Sequence, residues 1–280
     1  MKVVERLEAL RVERLSLAGT VGFVPTMGAL HRGHGTLLET ARTTCDSVVC
    51  SIFVNPTQFG PNEDLDAYPR TLADDLQLCR EAGVDLVWTP EVEDIHLPGC
   101  ETEVRVTGLG SRFEGESRPG HFQGVATVVT KLFGATSPHC AFFGQKDLQQ
   151  LFLIRKMTRD LLMPIEIVAV PTARDHNGLA LSSRNRYLED RQRIEAAAIY
   201  RGLQAVQRNF AAGRRQVSLL EEVFRREVGT MEDAQVERFD LLDADLSKKL
   251  EEGESMEAGF CSVAVRYAGV RLIDNIELCS

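Results

Sequence analysis

Residues 47–54 read Ser-Val-Val-Cys-Ser-Ile-Phe-Val, an almost unbroken apolar run. A strand with no polar face is stable where both faces of its sheet are covered, as in a parallel sheet between helical layers. The neighbouring sequence supplies those layers. A strand over 21–24 precedes a helical stretch from about residue 34 to 45, and a helix is predicted over 71–82, with Leu72, Leu76 and Cys79 on one stripe and Gly83 as its stop. Strands over 84–89, 139–143 and 165–170 alternate with helices over 122–133 and 147–162. This β–α alternation predicts a doubly wound parallel α/β sheet with right-handed crossovers.

From about residue 174 the pattern changes. Polar, turn-rich Asp175-His-Asn-Gly178 is followed by helical stretches over 190–212 and 217–228, then strand-like runs over 236–242, 260–267 and 270–276. Helices followed by neighbouring strands predict a smaller α+β domain over 175–280 after a first domain over 1–174. Between charged residues, the segment 108–120 carries Gly108, Gly110, Gly115, Pro119 and Gly120, which reads as a long mobile loop of the kind that forms lids.

Charge narrows the function classes. The chain has 41 acidic and 32 basic residues, a formal net charge of −9. A general nucleic-acid surface is not expected from that balance, so any attraction for an anionic ligand must be local. The seven cysteines are odd in number and contain no C-x-x-C, against a disulfide framework or a zinc ribbon. No run is long and apolar enough to span a bilayer, and the first residues do not resemble a signal peptide, so a cytoplasmic protein without membrane partners is expected.

Four segments at strand-to-helix junctions carry the chemistry. The first strand leads into Pro25-Thr-Met-Gly-Ala-Leu-His31-Arg-Gly-His34. Ligands of open α/β sheets bind beyond the strand carboxyl ends, where helix N-termini present N–H groups to phosphate, and Gly28 and Gly33 let the backbone come close. Histidines three apart at a helix start share a face, from which imidazole can donate to phosphate oxygens or neutralise charge on a departing pyrophosphate. Alone, the pair also fits solvent-facing loop histidines or metal ligands; no third ligand lies at a metal spacing nearby. The second segment, Asn55-Pro-Thr-Gln58-Phe-Gly60, ends the next strand, and Gln58 can donate to a carboxylate without adding fixed charge. The third, Phe143-Gly-Gln-Lys146-Asp147-Leu-Gln-Gln150, offers Lys146 to phosphate, Asp147 as a cap or a ligand for ribose or Mg²⁺, and Gln150 one turn along the same helix. The fourth, Leu181-Ser-Ser-Arg184-Asn-Arg186, combines two hydroxyls with a guanidinium, a common phosphate-binding set.

Through residues 25–34, 55–60, Asp64-Leu-Asp-Ala-Tyr-Pro-Arg70, Arg118-Pro-Gly-His-Phe122, 143–150 and 181–187, the sequence resembles the pantothenate synthetases, the pantoate–β-alanine ligases of the H-x-G-H nucleotidyltransferase superfamily. The similarity covers essentially the whole chain and is dense over residues 20–190. It implies a Rossmann-like N-terminal domain, a smaller C-terminal lid domain, a homodimer, and ATP with Mg²⁺ as substrate and cofactor. It further implies that pantoate is activated as a pantoyl-adenylate, from which β-alanine displaces AMP. Carried onto this chain, Pro25, Met27, Gly28, Ala29, Leu30, His31, Arg32, Gly33 and His34 would cradle ATP, with His34 as proton donor and His31 beside it. Gln58 and Gln150 would hold pantoate. Gly144, Gln145, Lys146 and Asp147 would bind adenosine and phosphate, and the Ala173 backbone would meet adenine. Leu181, Ser182, Ser183 and Arg184 would clamp the triphosphate, Asp74 would hold Mg²⁺, and 108–120 would cover the site. Lys146, Ser182 and Arg184 join the two histidines as the catalytic set. Two positions depart from the family pattern: Leu181 replaces a usual Met, and Gly35 a bulkier apolar residue, which loosens a helix turn by about 1 kcal/mol relative to Ala.

The chemistry so implied is positioning plus electrostatics, with no nucleophilic Ser or Cys, in agreement with the absence of a G-x-S-x-G elbow. A transferase that joins a nucleotide to a phosphorylated acceptor is the alternative enzyme, but it would place cations where Gln58 and Gln150 stand. A catalytically dead nucleotide-binding protein is the alternative from another class, and the intact histidines, Lys146 and Arg184 weigh against it.

Overall fold

The structure is a computed structural model that describes residues 1–60, 65–254 and 256–279, so Asp64 of the motif above lies outside the described residues. The chain forms two compact units: Met1–Gln145 with Gln149–Pro171, and Lys146–Leu148 with Thr172–Ser280. The three-residue turn at Lys146 thus belongs with the C-terminal residues, although it lies within the N-terminal stretch of sequence.

Among the described residues, the first unit is a six-stranded sheet in the order β1-β4-β3-β2-β5-β6, parallel throughout. The strands are β1 (Lys2–Val4), β2 (Val21–Thr26), β3 (Ser47–Ile52), β4 (Leu86–Trp88), β5 (Cys140–Gly144) and β6 (Glu166–Val170). The helices are α1 (Leu7–Leu15), α2 (Arg32–Thr44), α3 (Leu72–Glu81), the short α4 (Val92–Ile95) and α5 (Glu114–Ser117), α6 (His121–Thr136) and α7 (Leu148–Asp160). The apolar run at 47–52 sits near the middle of the sheet, and its first five residues, Ser47 to Ser51, are all buried, as a strand covered on both faces requires. One face packs Val24, Val48, Cys50 and Val87 against Leu38, Ala41 and Cys79 of α2 and α3. On the other, the Phe133 ring of α6 meets Phe23 and Phe143 edge-on at centroid distances of 6.3 and 6.4 Å. The strand order reverses at β2, whose neighbours are β3 and β5, and this is where ligands of such sheets collect.

Two features differ from the sequence-based expectation. Before β2, the chain adds β1 on the sheet edge and α1, tied by the Trp88 indole N–H donating to Glu5 O at 3.0 Å. The 108–120 segment is folded: it makes a 3-10 turn at Leu109–Ser111 and then α5, with Leu109, Phe113 and Glu114 buried. The reason is Gln149. Its Nε2 donates to Leu109 O and Arg112 O, both at 2.8 Å, and its Oε1 accepts from Glu114 N at 2.9 Å, so one buried amide satisfies three main-chain groups.

The second unit packs α8 (Asp190–Ala196), α9 (Ala198–Ala211) and α10 (Val217–Val228) on the antiparallel sheet β7 (Gln235–Asp243), β8 (Ala258–Tyr267) and β9 (Val270–Cys279). Its core joins Leu203, Phe210, Leu220 and Phe224 to Phe239, Leu241, Val263 and Leu272. The single helix expected over 190–212 breaks at Ala197, where Ala196, Ala197 and Ala198 are fully buried and the chain tightens into an Ala197 N to Ile194 O turn.

Candidate functional site

At the carboxyl end of β2 the chain turns through two left-handed residues, Gly28 (φ 80°) and Ala29 (φ 50°), before α2 begins. A Cβ on Gly28 would stand 3.1 Å from Asp75 Oδ2 and 3.2 Å from Ile52 Cγ2, so this turn is close to the limit of what a side chain allows. His31 is the N-cap of α2. Its Nδ1 accepts from Gly33 N at 3.1 Å, and His34 Nδ1 accepts from His31 N at 3.3 Å, a reciprocal cap made of two imidazoles whose ring centroids lie 4.2 Å apart. With both Nδ1 atoms accepting, a neutral ring carries its proton on Nε2. Each histidine therefore presents Nε2–H as a donor, the polarity that phosphate oxygens need. Charging either ring would put a proton on Nδ1 and cost the cap bond.

Three amides of the loop ahead of the helix are engaged by side chains. Ala29 N and Leu30 N donate to the two carboxylate oxygens of Asp75 at 3.0 and 2.7 Å, and Gly28 N donates to Thr26 Oγ1 at 3.3 Å. Asp75 is buried on the first turn of α3 and also accepts from Thr71 Oγ1 at 3.1 Å. Asp74, the carboxylate expected to hold Mg²⁺, is exposed one residue earlier. The carboxylate that reaches the histidine loop is thus Asp75, whose oxygens are already engaged by the main chain.

The second loop meets the first. After β3, Asn55 caps the 3-10 turn Pro56–Gln58, its Oδ1 accepting from Thr57 Oγ1 at 3.0 Å. Asn55 Nδ2 donates to Gln58 Oε1 at 3.2 Å, and Gln58 Nε2 points to the sulfur of Met27 at 2.6 Å, so the structure brings together Gln58 and the β2 loop. Four more residues lock this turn. His96 Nε2–H donates to Asn55 Oδ1 at 2.8 Å, with burial and then the Lys131 ammonium holding its pKa below the usual imidazole range. Arg118 donates to His121 Nε2 at 2.9 Å, which leaves His121 Nδ1–H to donate to Gln58 O at 2.8 Å. At Gly124 a Cβ would collide with the Thr57 carbonyl and stand 2.8 Å from Gln58 N; only glycine lets α6 approach so closely. Sequence reasoning does not single out Asp75, His96 or Gly124, and finds Asn55 and His121 only as parts of their motifs. The signal available for His121 is the segment Arg118-Pro-Gly-His-Phe122, which reads in sequence as the end of a loop.

Gln150 lies half-buried on α7, beside the structural Gln149. Lys146 is not on that helix: Gln145–Asp147 is a 3-10 turn ahead of it, and the Lys146 ammonium stands 3.6 Å from Asp147 Oδ1. Within the C-terminal unit, Ala173 O accepts from Leu181 N at 2.9 Å. Ser182 Oγ accepts from Arg184 N at 3.1 Å, capping the 3-10 turn Ser183–Tyr187, and Asn185 Nδ2 donates to Ala180 O at 3.0 Å. Ser182 and Arg184 are thereby fixed in one short turn. Among the described residues, no group of three or more His, Cys, Asp or Glu side chains is arranged to cage a metal, and no helix is long and apolar enough to cross a membrane.

A parallel sheet whose strand ends carry paired imidazole donors, oriented amides and a carboxylate-braced turn defines an α/β enzyme of the strand-end ligand-binding class. Comparison with known proteins takes this further. The pantoate-beta-alanine ligase family model matches residues 2–277. The pantothenate synthetase of Roseiflexus sp. (strain RS-1) is 47% identical over 278 residues, covering 99% of both chains. The crystal structure of a pantothenate synthetase from Thermus thermophilus superposes with a TM-score of 0.94 at 43% identity over the whole of both chains. A pantoate-beta-alanine ligase from Francisella tularensis, complexed with beta-gamma ATP and beta-alanine, superposes with a TM-score of 0.81 at 35% identity, covering 99% of this chain and 97% of that one. The chain belongs to the pantoate-beta-alanine ligase family, and it is an enzyme of that family.

Proposed function

We propose that this enzyme joins pantoate to β-alanine in two steps at the expense of ATP, through a pantoyl-adenylate, with pyrophosphate and then AMP as co-products. The observation that carries the reading is the contact of Gln58 with Met27, which sets a neutral amide donor beside the histidine loop in a chain matched end to end by the ligase family. In the first step a pantoate carboxylate oxygen forms a bond to the α-phosphorus, and the bond from that phosphorus to the pyrophosphate oxygen breaks. His31 and His34, each donating a hydrogen bond through Nε2–H, stabilise the charge on the departing pyrophosphate, and the proton-donor role that the family resemblance gives His34 is here that of a hydrogen-bond donor. Lys146, Ser182, Ser183 and Arg184 supply the remaining phosphate contacts. Gln58 and Gln150 orient the acid, and Gly144, Gln145, Asp147, Ala173 and Leu181 receive the nucleoside. In the second step the neutral amine of β-alanine attacks the acyl carbon, the acyl–phosphate oxygen bond breaks, AMP leaves, and the amine loses a proton.

The residues fit Mg²⁺ as a companion of the triphosphate rather than as a caged ion, since Mg²⁺ is commonly held by one or two carboxylates plus substrate phosphates. Asp75 is engaged by the main chain, so the exposed Asp74 is the carboxylate of this helix turn that would take it; bound there, the ion would neutralise charge on the phosphate oxygens. A cytoplasmic homodimer completes the reading.

Product analysis tests it. Formation of AMP and pyrophosphate that depends on pantoate, with pantothenate appearing once β-alanine is added, is the expected result. Turnover with a phosphorylated acceptor that yields no AMP would overturn the ligase reading. A His34→Ala variant that forms pantoyl-adenylate at the wild-type rate would remove the histidine from the mechanism.

A further inference from the structure

The Lys146 turn is held from an unexpected quarter. Lys146–Leu148 belongs with the C-terminal residues, and β9 bonds to it directly: Asn275 Nδ2 donates to Lys146 O at 2.9 Å. Asn275 is buried, and its own N–H donates to Asp274 Oδ1 at 2.8 Å. Asp274 is buried as well and takes the Arg174 guanidinium in a two-pronged pair at 2.6 and 3.0 Å. Arg174 in turn lies 3.6 Å over the Tyr200 ring and donates to Gly178 O at 3.2 Å. Through its antiparallel bridge to Ala180 it begins the stretch that ends in the Ser182–Arg184 turn. Two adjacent side chains on one strand therefore fasten both of the C-terminal unit's phosphate-binding segments, Asn275 the Lys146 turn and Asp274 the segment leading to Arg184.

We propose that Asn275 is a positioning residue for Lys146, and that the Asp274–Asn275 pair keeps Lys146 and Ser182–Arg184 in register as a single anion-binding body. The proposal rests on the reading of Lys146 and Arg184 as phosphate ligands. A neutral amide suits the task. It can donate to a carbonyl without bringing a charge close to the bound nucleotide, and its shape is matched by aspartate, which cannot donate when ionised. Asn275 touches no reacting atom; its effect passes through the Lys146 main chain.

The test uses Asn275→Asp and Asn275→Ala in the full-length enzyme, with Lys146→Ala alongside. The two half-reactions are measured separately: pantoate-dependent exchange of pyrophosphate into ATP, and aminolysis of supplied pantoyl-adenylate by β-alanine. The expected result is an exchange rate reduced about 10- to 100-fold, the range that follows from misplacing a bound group by about 1 Å. KM for ATP rises while KM for pantoate and the aminolysis rate stay within about twofold of wild type. Thermal unfolding measured in parallel identifies a general loss of structure. If both half-reactions fall together with the unfolding temperature, Asn275 is structural and the proposal is overturned. If exchange is unchanged in both variants while Lys146→Ala abolishes it, the positioning role fails and the Lys146 assignment stands. An unimpaired Lys146→Ala enzyme would instead remove the assignment on which the proposal rests.

Discussion

Replacing Asp75 by asparagine separates two adjacent carboxylates that sequence alone could not rank. Asp75 accepts from Ala29 N and Leu30 N through different oxygens, and from Thr71 Oγ1, in a buried site. Asparagine keeps the volume but turns one of those oxygens into an amino group that faces a main-chain N–H. The variant loses one charge-assisted hydrogen bond, about 1.5–3 kcal/mol, and leaves a shielded donor unmatched at about 1–3 kcal/mol, two costs that overlap. A total near 3 kcal/mol is expected, a large part of the roughly 5–15 kcal/mol that holds a typical domain together. Because the amide set free, Ala29 N or Leu30 N, lies in the loop that leads to His31, the histidine pair shifts as well. The kcat should fall by about tenfold or more, since misplacement of this kind is amplified at a reacting centre. Urea unfolding and steady-state kinetics measure both quantities. Asp74→Asn provides the contrast: as an exposed substitution it should stay within about 0.5 kcal/mol of wild-type stability and raise only the Mg²⁺ concentration needed for half-maximal rate. If Asp74→Asn destabilises the fold and Asp75→Asn does not, the assignment of the two carboxylates is wrong.

Gly124→Ala drives a methyl into the Thr57 carbonyl and should cost about 1–3 kcal/mol while raising KM for pantoate through displacement of Gln58; an unaltered KM would show that the close approach of α6 does not set the Gln58 turn. Arg174→Met strands the buried Asp274 carboxylate, a loss of about 3–5 kcal/mol by urea unfolding near neutral pH. Burial already pushes the Asp274 pKa up, with Arg174 pulling it back down; without the arginine it rises further, so the folded variant binds a proton more tightly than the unfolded chain and its deficit shrinks as pH falls. A deficit that stays constant from pH 7 to about pH 5 would contradict the pairing. Thiol labelling at about pH 8 should modify Cys100 before Cys45, because hydrogen bonding to the Thr102 backbone and the nearby Lys131 hold the Cys100 pKa below the usual range, whereas burial and Cys140 push Cys45 up to about 11. Equal labelling of the two in the folded protein, read by mass spectrometry, would refute this order.

The central sheet was legible because its physics is written locally. Residues 47–52 carry no charged side chain and only two serines among apolar neighbours, and the glycines and histidines after β2 mark a turn into a helix. The three-residue β1 carries too little pattern to distinguish it from a frayed terminus, and it becomes a strand only through pairing with distant β4. On α3, the expected stripe of Leu72, Leu76 and Cys79 is met at Cys79, which is buried, and at Leu76, which packs on the core, but Leu72 is exposed and the buried position one turn before Cys79 is the polar Asp75, which an apolar pattern cannot mark. The Ala197 break was invisible because alanine is the best helix former and its sequence signal points the other way. The site was legible as segments, since each sits at a strand end, but not as bonds. Which neighbour orients Gln58, and which main-chain groups Gln149 satisfies, depend on contacts that bring α6 and α7 beside loops far away in sequence.

The bond from Asn275 to Lys146 also sets an order of events in the making of the enzyme. The two residues are 129 apart in sequence. At the roughly 5–20 residues per second of protein synthesis, that separation corresponds to about 6–26 s during which the lysine turn exists and its anchor does not. The β2 loop, whose braces Asp75 and Thr71 follow within 46 residues, can be completed far earlier. A nascent chain stalled before β9 would therefore carry finished histidine donors and an unanchored lysine. Competence for ATP should arrive with the last strand, not gradually along the chain.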